Sequence, residues 1–252
     1  MSRAIILAAG RGSRMKEHTK EKPKCLNILA NDTLLNWQLK SLKVGGIEKV
    51  IVVNGYKANL ITGDFQTVTN NRWSETNMVS SLFCVPQSKG NSIISYSDIV
   101  YKPEHVNSLK KSNGDIVITA DLKWKELWDL RFENPLDDAE TFQSDGDKLI
   151  HIGRKTSDIT EIEAQYMGLL KLTEVGWKNM KEVYDSFSSD KKDKLDMTSM
   201  INHLLDRNIE VNIVFVNGGW CESDSYSDIE VYENKMELDK NWLHDWRCTP
   251  KI

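Results

Sequence analysis

Runs that are apolar on consecutive residues, and not merely on alternate ones, recur along this chain at residues 4–8, 49–53, 92–96, 115–120, 148–152, 165–172 and 211–216. A strand that is apolar on both faces has to be covered on both, which is the condition of a largely parallel sheet between two helical layers. Stretches of helical spacing lie between several of the runs. Leu34, Leu35, Trp37, Leu39 and Leu42 line one face of a helix; Asp32 is placed to cap its start, and Gly45-Gly46 to end it before the strand KVIVV. Further helices are predicted around 104–111, 124–131, 174–187, 197–208 and 227–232, while the polar stretch SFSSDKKDK at 186–194 is expected to be a surface loop. Strands alternating with helices give an α/β fold with a mostly parallel central sheet.

At 252 residues the chain can bury a sizeable core, and one domain spanning 1–252 is expected, because no Pro/Gly/Ser-rich linker and no repeat interrupts it. A hydrophobic share of 40%, a charged share of 28% and a net charge of -4 describe an ordinary globular protein. Nucleic acid is not an expected partner, since a polyanion binder carries a basic surplus and here the basic cluster is local. Cys25, Cys84, Cys221 and Cys248 form no CxxC pair, so buried reduced thiols are expected and not a zinc site or a disulfide framework. The run AIILAA is too short for a signal-peptide core and nothing approaches a membrane span, which together point to a cytoplasmic protein with no membrane partner. The tail from Lys235 onward carries Trp242 and Trp246 at helical spacing; it is expected to pack on the body of the domain, or on a second subunit in a homodimer.

The stretch LAAGRGSRMKEHTKEKPKCL, residues 7–26, places glycines and cations directly after the first apolar run. In an open parallel sheet, ligands sit beyond the carboxyl ends of the strands, and the loop after the first strand is a favoured phosphate position. Gly10 and Gly12 are expected to allow a tight turn with positive φ that aims backbone N–H groups at an anion. It is not a dinucleotide fingerprint: Met15 stands where the third glycine of GxGxxG belongs, and a charged segment containing Pro23 follows where a helix should open. A P-loop is excluded because no GK[ST] follows the glycines. Cations in such a loop favour a polyphosphate whose charge is neutralised during reaction.

Residue for residue, LAAGRGSRM, then Thr19, then Pro23-Lys24, resembles the nucleotidyltransferase family that joins an NTP to a phosphorylated small molecule. The resemblance implies a three-layer α/β/α, Rossmann-like fold with a mixed but mostly parallel sheet. It implies that Leu7, Ala8, Ala9, Gly10, Gly12 and Ser13 line the nucleotide, that Arg14 and Lys24 hold its phosphates, and that Lys24 stabilises the pentacoordinate α-phosphorus. Arg11, Lys16, Lys20 and Lys22 are read as cations of a solvated loop.

Attack on an α-phosphorus calls for Mg2+, a hard cation held by one or two carboxylates. Asp98, at the end of SIISYSDIVY, and Asp224, within WCESDSYSDIEVYE, both fall at strand carboxyl ends. These stretches resemble the segments of phosphocholine, 2-aminoethylphosphonate and phosphoglutamine cytidylyltransferases in which an Asp from each holds the metal. Asp98 and Asp224 are therefore the expected ligands; Glu222 ranks behind them, and Asp228 is explained as a first-turn helix carboxylate.

WSETNMVSSLFC, DLRFENPLDDAETF, LIHIGRK, EAQYMGLLKL and GGWCESDSYSD resemble the same cytidylyltransferase branch. A zwitterionic acceptor then suits the composition: Trp128, Tyr166 and Trp220 as aromatic faces, and Asp137, Asp138 and Glu140 as neutralisers of an amine. Asn77 is a candidate hydrogen-bonding side chain for nucleotide or substrate, with helix capping as its other use. Lys155 resembles the family lysine that contacts the acceptor phosphoryl group. The reaction implied is CTP plus a small phosphonate or phosphomonoester giving a CDP-linked product and pyrophosphate. A sugar-1-phosphate nucleotidyltransferase and a non-catalytic nucleotide-binding module are the alternatives. The acceptor is already an anion, so no general base is needed, and His18, His105, His151, His203 and His244 show no ligand spacing. The scheme requires Lys24, Asp98 and Asp224 to open onto one side of the molecule.

Overall fold

A computed structural model describes residues 2–247 of the chain. Its elements run β1 (Arg3–Ala8), β2 (Ile28–Leu29), β3 (Asp32–Thr33), α1 (Leu34–Val44), β4 (Lys49–Asn54), β5 (Gln66–Thr69), α2 (Met78–Leu82), β6 (Ser92–Tyr96), β7 (Ile99–Tyr101), α3 (Pro103–Lys111) and β8 (Ile116–Asp121). They continue α4 (Trp124–Arg131), β9 (Phe142–Asp145), β10 (Lys148–Ile152), β11 (Gln165–Leu172), α5 (Glu174–Asp185), α6 (Ser189–Lys194), α7 (Met197–Leu205), β12 (Asn212–Val216), β13 (Trp220–Glu222) and α8 (Tyr226–Leu238).

The main sheet has nine strands in the order β5-β4-β1-β6-β11-β8-β12-β10-β9. Strands β5, β4, β1 and β6 are mutually parallel, β8 and β12 are parallel to each other, and β11 runs antiparallel between β6 and β8. Strand β10 is antiparallel to β12, and β9 to β10. The carboxyl ends of β1, β6 and β8 therefore share one edge with the amino end of β11.

Alternation along β1 divides the core. Ala4, Ile6 and Ala8 face a layer made by α1, α3, α4 and α8, through residues such as Leu42, Val106, Leu127 and Tyr232. Ile5, Leu7 and Ala9 face a second layer made by α2, α5 and α7, through Val79, Trp177 and Met200. Burial on both faces explains why these strands read as unbroken apolar runs and gives the three-layer arrangement expected from the sequence.

Several local expectations are corrected. The cap of α1 is Thr33, whose hydroxyl accepts from the N–H of Asn36 at 3.0 Å; Asp32 instead accepts from the Thr33 N–H and the Asn36 side chain. The stretch read as a surface loop contains α6, whose Asp193 carboxylate is held by Arg72 and whose Asp193 carbonyl accepts from the N–H of Asn77 at 2.7 Å. Cys25 and Cys221 are buried, Cys84 is exposed, and Cys248 lies outside the described residues. Trp242 and Trp246 pack on the body of the domain, Trp242 against Tyr232 and Trp246 against Trp37. Among the described residues no helix is long and apolar enough to cross a membrane.

Strand β11 carries an irregularity between Tyr166 and Leu170 in its pairing with β8, and Gly168 sits in it with φ +76°. A Cβ there would stand 2.6 Å from the ring of Tyr96 at the end of β6. The glycine thus lets two strands deliver Tyr96 and Tyr166, in edge contact at 5.8 Å, to the same sheet edge. Gly168→Ala is expected to destabilise the protein by about 1–3 kcal/mol, from left-handed strain and the ring clash, measured by urea unfolding.

Candidate active site

The loop after β1 is shaped by its own polar contacts. Gly12 has φ +72°, and a Cβ on it would come within 2.6 Å of the Cβ of Lys24, so only glycine lets the lysine stem lie against the turn. Residues Ser13–Thr19 form tight 3-10 turns kinked at Lys16, which itself has φ 49°. The buried hydroxyl of Thr19 donates to the carbonyl of Gly12 at 3.1 Å and lies 3.3 Å from that of Lys16, tying the loop's ends together. Pro23 leads into the short 3-10 turn Lys24–Leu26. Gly10 does not share the positive φ expected of it; a Cβ there would meet open space, so its value is the room it leaves at the mouth of the loop.

A second device brings in the carboxylates. Beyond the sheet edge, β7 and β13 pair antiparallel with Ile99 opposite Glu222 and Tyr101 opposite Trp220. That register, with the N–H of Ser223 donating to the carbonyl of Asp98 at 2.9 Å, places Asp98 beside Asp224 although the chain separates them widely. Into the gap comes the ammonium of Lys24, which donates to Asp98 Oδ2 and to Asp224 Oδ1 at 2.8 Å each. Arg14 reaches the same Asp224 oxygen at 2.7 Å. Lys24 and the two aspartates thus open onto one side of the molecule.

One ligand atom from each of Asp98, Glu222 and Asp224 falls within 4.8 Å of the others. Asp98 Oδ1 is buried with no hydrogen-bond partner among the described residues. An all-oxygen set of carboxylates with an unused buried oxygen fits a hard divalent cation such as Mg2+. Glu222, ranked second from sequence, belongs to this set. Its side chain points to the same space because the β7–β13 pairing turns that face toward Asp98.

The electrostatics are those of charges held out of water. Burial alone would favour a neutral Lys24, but the Asp98 and Asp224 carboxylates outweigh it and hold the ammonium above its ordinary pKa. Burial likewise opposes charge on Asp224, and Lys24, Arg14 and Arg131 overcome it, so its pKa lies below the ordinary range. Glu222 is pushed up to about 8, first by burial and then by the Asp224 carboxylate, against the pull of Arg131.

Two cavities of about 300 Å³ each meet at this cluster and share Arg14 and Met78. The first lies along the loop after β1 and is bordered by Leu7, Ala9, Gly10, Ser13, Trp73 and Asn77. Gly12, Lys24 and Asp98 complete its floor. The second is bordered by Trp128, Asp138, Glu140, Tyr166 and Asp196, and it opens on Glu222 and Asp224. Burial, with Asp196 and Asp138 alongside, raises the pKa of Glu140 despite Lys155.

Some expected residues stand elsewhere. Ala8 is turned into the core on the far face of β1 and does not line the first cavity. Trp220 is 1% exposed, its indole N–H donating to the buried Asp121 at 2.8 Å; it supports Trp128, at 6.2 Å between rings, and takes no place on the wall of the second cavity. Lys155 lies outside both cavities, its ammonium on the carbonyls of Asp137 and Asp138 at 3.1 and 2.7 Å. Asn77 borders the first cavity while its side-chain oxygen caps α2 by accepting from Met78. Trp73, Asp196 and Arg131 were not anticipated. Nothing in the local spacing marks Trp73 or Asp196, whereas Arg131, at the end of an otherwise apolar helix face, is a cation whose buried position asks for acidic partners.

Comparison with known proteins shows the family. Residues 4–127 match the MobA-like NTP transferase domain. The chain is 34% identical to the CTP:phosphoglutamine cytidylyltransferase of Campylobacter jejuni, over 92% of this chain and 99% of that one. It is 22% identical to the 2-aminoethylphosphonate cytidylyltransferase of Lancefieldella rimae over 92% of each chain. In structure it is similar to the inositol-1-phosphate CTP transferase from T. maritima, with a TM-score of 0.73 at 20% identity, covering 94% of this chain and 97% of that one. The chain is a nucleotidyltransferase and belongs to the MobA-like NTP transferase family.

Gly12→Ala is expected to cost about 1 kcal/mol or more of unfolding free energy in a urea titration, because an alanine at positive φ is strained and its methyl group displaces the Lys24 stem.

Proposed function

We propose that this protein transfers CMP from CTP to a small acceptor that carries a phosphonate or phosphomonoester together with a positive charge, releasing pyrophosphate. The observation that carries the reading is the meeting of two cavities at one cluster, with Lys24, Arg14, Asp98, Glu222 and Asp224 at the seam. The nucleotide lies along the first cavity, where Gly10 leaves the backbone open and Trp73 forms a wall. The acceptor occupies the second. Its oxyanion attacks the α-phosphorus, a P–O bond forms, and the bond to pyrophosphate breaks with the electron pair leaving on the pyrophosphate oxygen.

The acceptor needs no deprotonation, so the work falls on orientation and charge. Lys24 and Arg14 stand where the triphosphate passes from one cavity to the other, and they neutralise the charge that builds there. Asp98, Glu222 and Asp224 would hold Mg2+, which supplies charge neutralisation on the phosphate oxygens when bound. Lys155 stands apart from the acceptor cavity with its ammonium engaged by backbone carbonyls, which argues against a direct hold on the acceptor phosphoryl group in this arrangement.

The walls of the second cavity favour a zwitterion over a hexose phosphate. Asp138, Glu140 and Asp196 stand with Trp128 and Tyr166 around a space whose one basic wall residue, among the described residues, is Arg14. Acids and aromatic faces together recognise an ammonium. The full-length similarity to a phosphoglutamine cytidylyltransferase supports the same class.

Incubation with Mg2+ and each NTP against phosphoglutamine, aminoethylphosphonate, phosphocholine and glucose-1-phosphate should release pyrophosphate fastest with CTP and a cationic acceptor. Preference for glucose-1-phosphate would replace this reading with the sugar-phosphate one. Lys24→Met should lower kcat by about 10²–10³, the scale of losing one preorganised charge at the reacting centre, with its circular dichroism spectrum retained. Because the pKa of Glu140 is raised, it loses its charge earlier as pH falls than an exposed glutamate does. The acceptor KM should therefore climb on acidification from neutrality, and Glu140→Gln should flatten that limb while raising KM at pH 7; an unaltered profile removes Glu140 from the acceptor site.

A further inference from the structure

Behind the carboxylate cluster, the side chain of Arg131 is wholly buried (0% exposed) at the end of α4. Its guanidinium is spread over three acids: Nη1 donates to Glu222 Oε2 at 3.0 Å, Nη2 to Asp224 Oδ2 at 3.2 Å and Nε to Asp228 Oδ1 at 3.4 Å. The rings of Trp128 and Phe132 lie 5.0 and 4.9 Å from its central carbon and leave the plane little freedom to turn. Asp228 closes the arrangement, since its other oxygen accepts from the N–H groups of Asp224 and Ser225 at 2.8 Å each.

The division of oxygens within Asp224 is informative. Oδ2 is taken by Arg131 from behind, while Oδ1 is the atom presented to Lys24 and Arg14 in front. On Glu222 the guanidinium likewise takes Oε2. A carboxylate with one oxygen tied back can offer only the other to an ion. Mg2+ and Mn2+ accept single oxygens at fixed octahedral directions, whereas Ca2+ tolerates two oxygens from one carboxylate and irregular geometry.

We infer that Arg131 is a positioning residue that forces Asp224 and Glu222 to present single oxygens and so gives the site its preference for small octahedral cations over Ca2+. The inference rests on the proposed reading of Asp98, Glu222 and Asp224 as metal ligands, and it deepens that reading by assigning the origin of the ion preference. A lysine in its place keeps the charge but is a point donor on a flexible stem and cannot fix three carboxylates at once.

The test needs neither nucleotide nor acceptor. Mn2+ binding to the purified protein is followed by electron paramagnetic resonance, with Mg2+ and Ca2+ as competitors, for the wild type, Arg131→Lys and Arg131→Met. Thermal unfolding checks that each variant is folded. The wild type should bind Mn2+ and prefer Mg2+ to Ca2+. Arg131→Lys should lose about 10- to 100-fold in Mn2+ and Mg2+ affinity, the usual cost of removing a residue that orients metal ligands, while Ca2+ falls much less, so that the Mg2+-to-Ca2+ ratio collapses. Arg131→Met should show the same collapse if it folds, and Arg131→Lys carries the test if it does not. An unchanged ratio in a folded Arg131→Lys overturns the positioning role and leaves the metal site standing, as does an equal loss for both ions. A wild type that binds neither ion overturns the metal reading itself and the role with it.

Discussion

The site depends on a single buried ion-pair bridge, in which Lys24 is shared between Asp98 and Asp224. These residues come from the loop after β1, the turn after β6 and the segment after β13, and only the folded sheet brings them together. Charges taken out of water are costly unless paired and hydrogen-bonded, so the bridge has to be complete to be tolerated. Arg14 and Arg131 complete it from the front and from behind. A polar cluster of this kind stabilises little by itself; its use is a fixed array of charge at the edge where the strands end.

Around the array the fold separates two kinds of wall. On one side the backbone turns of a glycine loop leave room for a ligand that is large and anionic. On the other, acids and aromatic rings from β8-to-β11 connections and the segment before α7 make a wall suited to a cation. The antiparallel insertion of β11 permits this division, because it delivers the start of a strand, with Gln165 and Tyr166, to an edge otherwise built from strand ends.

Much of this was legible in the sequence because it is set by local chemistry. The seven apolar runs are strands, and the glycine-and-cation loop sits at the end of the first of them; Lys24, Asp98 and Asp224, singled out by resemblance and not by local spacing, stand together in the fold. What escaped was set by tertiary pairing. Strands β5 and β9 are polar sheet-edge segments whose sequences QTVT and FQSD carry weak alternation. Helix α6 is short and charged, and its carboxyl end is held at Asp193 by Arg72 and Asn77 from a distant part of the chain. Trp220 is an aromatic face that a zwitterionic acceptor would suit, but its indole N–H satisfies the buried Asp121, a partner that no spacing rule could name. The nearness of Glu222 to Asp98 was not legible either, since which face of β13 looks toward Asp98 is decided by the ribbon register and not by residue type.

That ribbon separates two tasks that many sites assign to one framework. The gap between the acidic groups is held by main-chain hydrogen bonds of β7 and β13, a small two-stranded unit outside the large sheet. Sliding it by one residue would swing Glu222 to the opposite side and dismantle the acidic triad, whatever side chains were kept. The cavity walls hang from other elements. Replacement of Trp128, Glu140 or Tyr166 during divergence would therefore reshape the second cavity while the spacing of the three carboxylates stays untouched, so the shape of the wall and the spacing of the acids are written into different parts of the backbone.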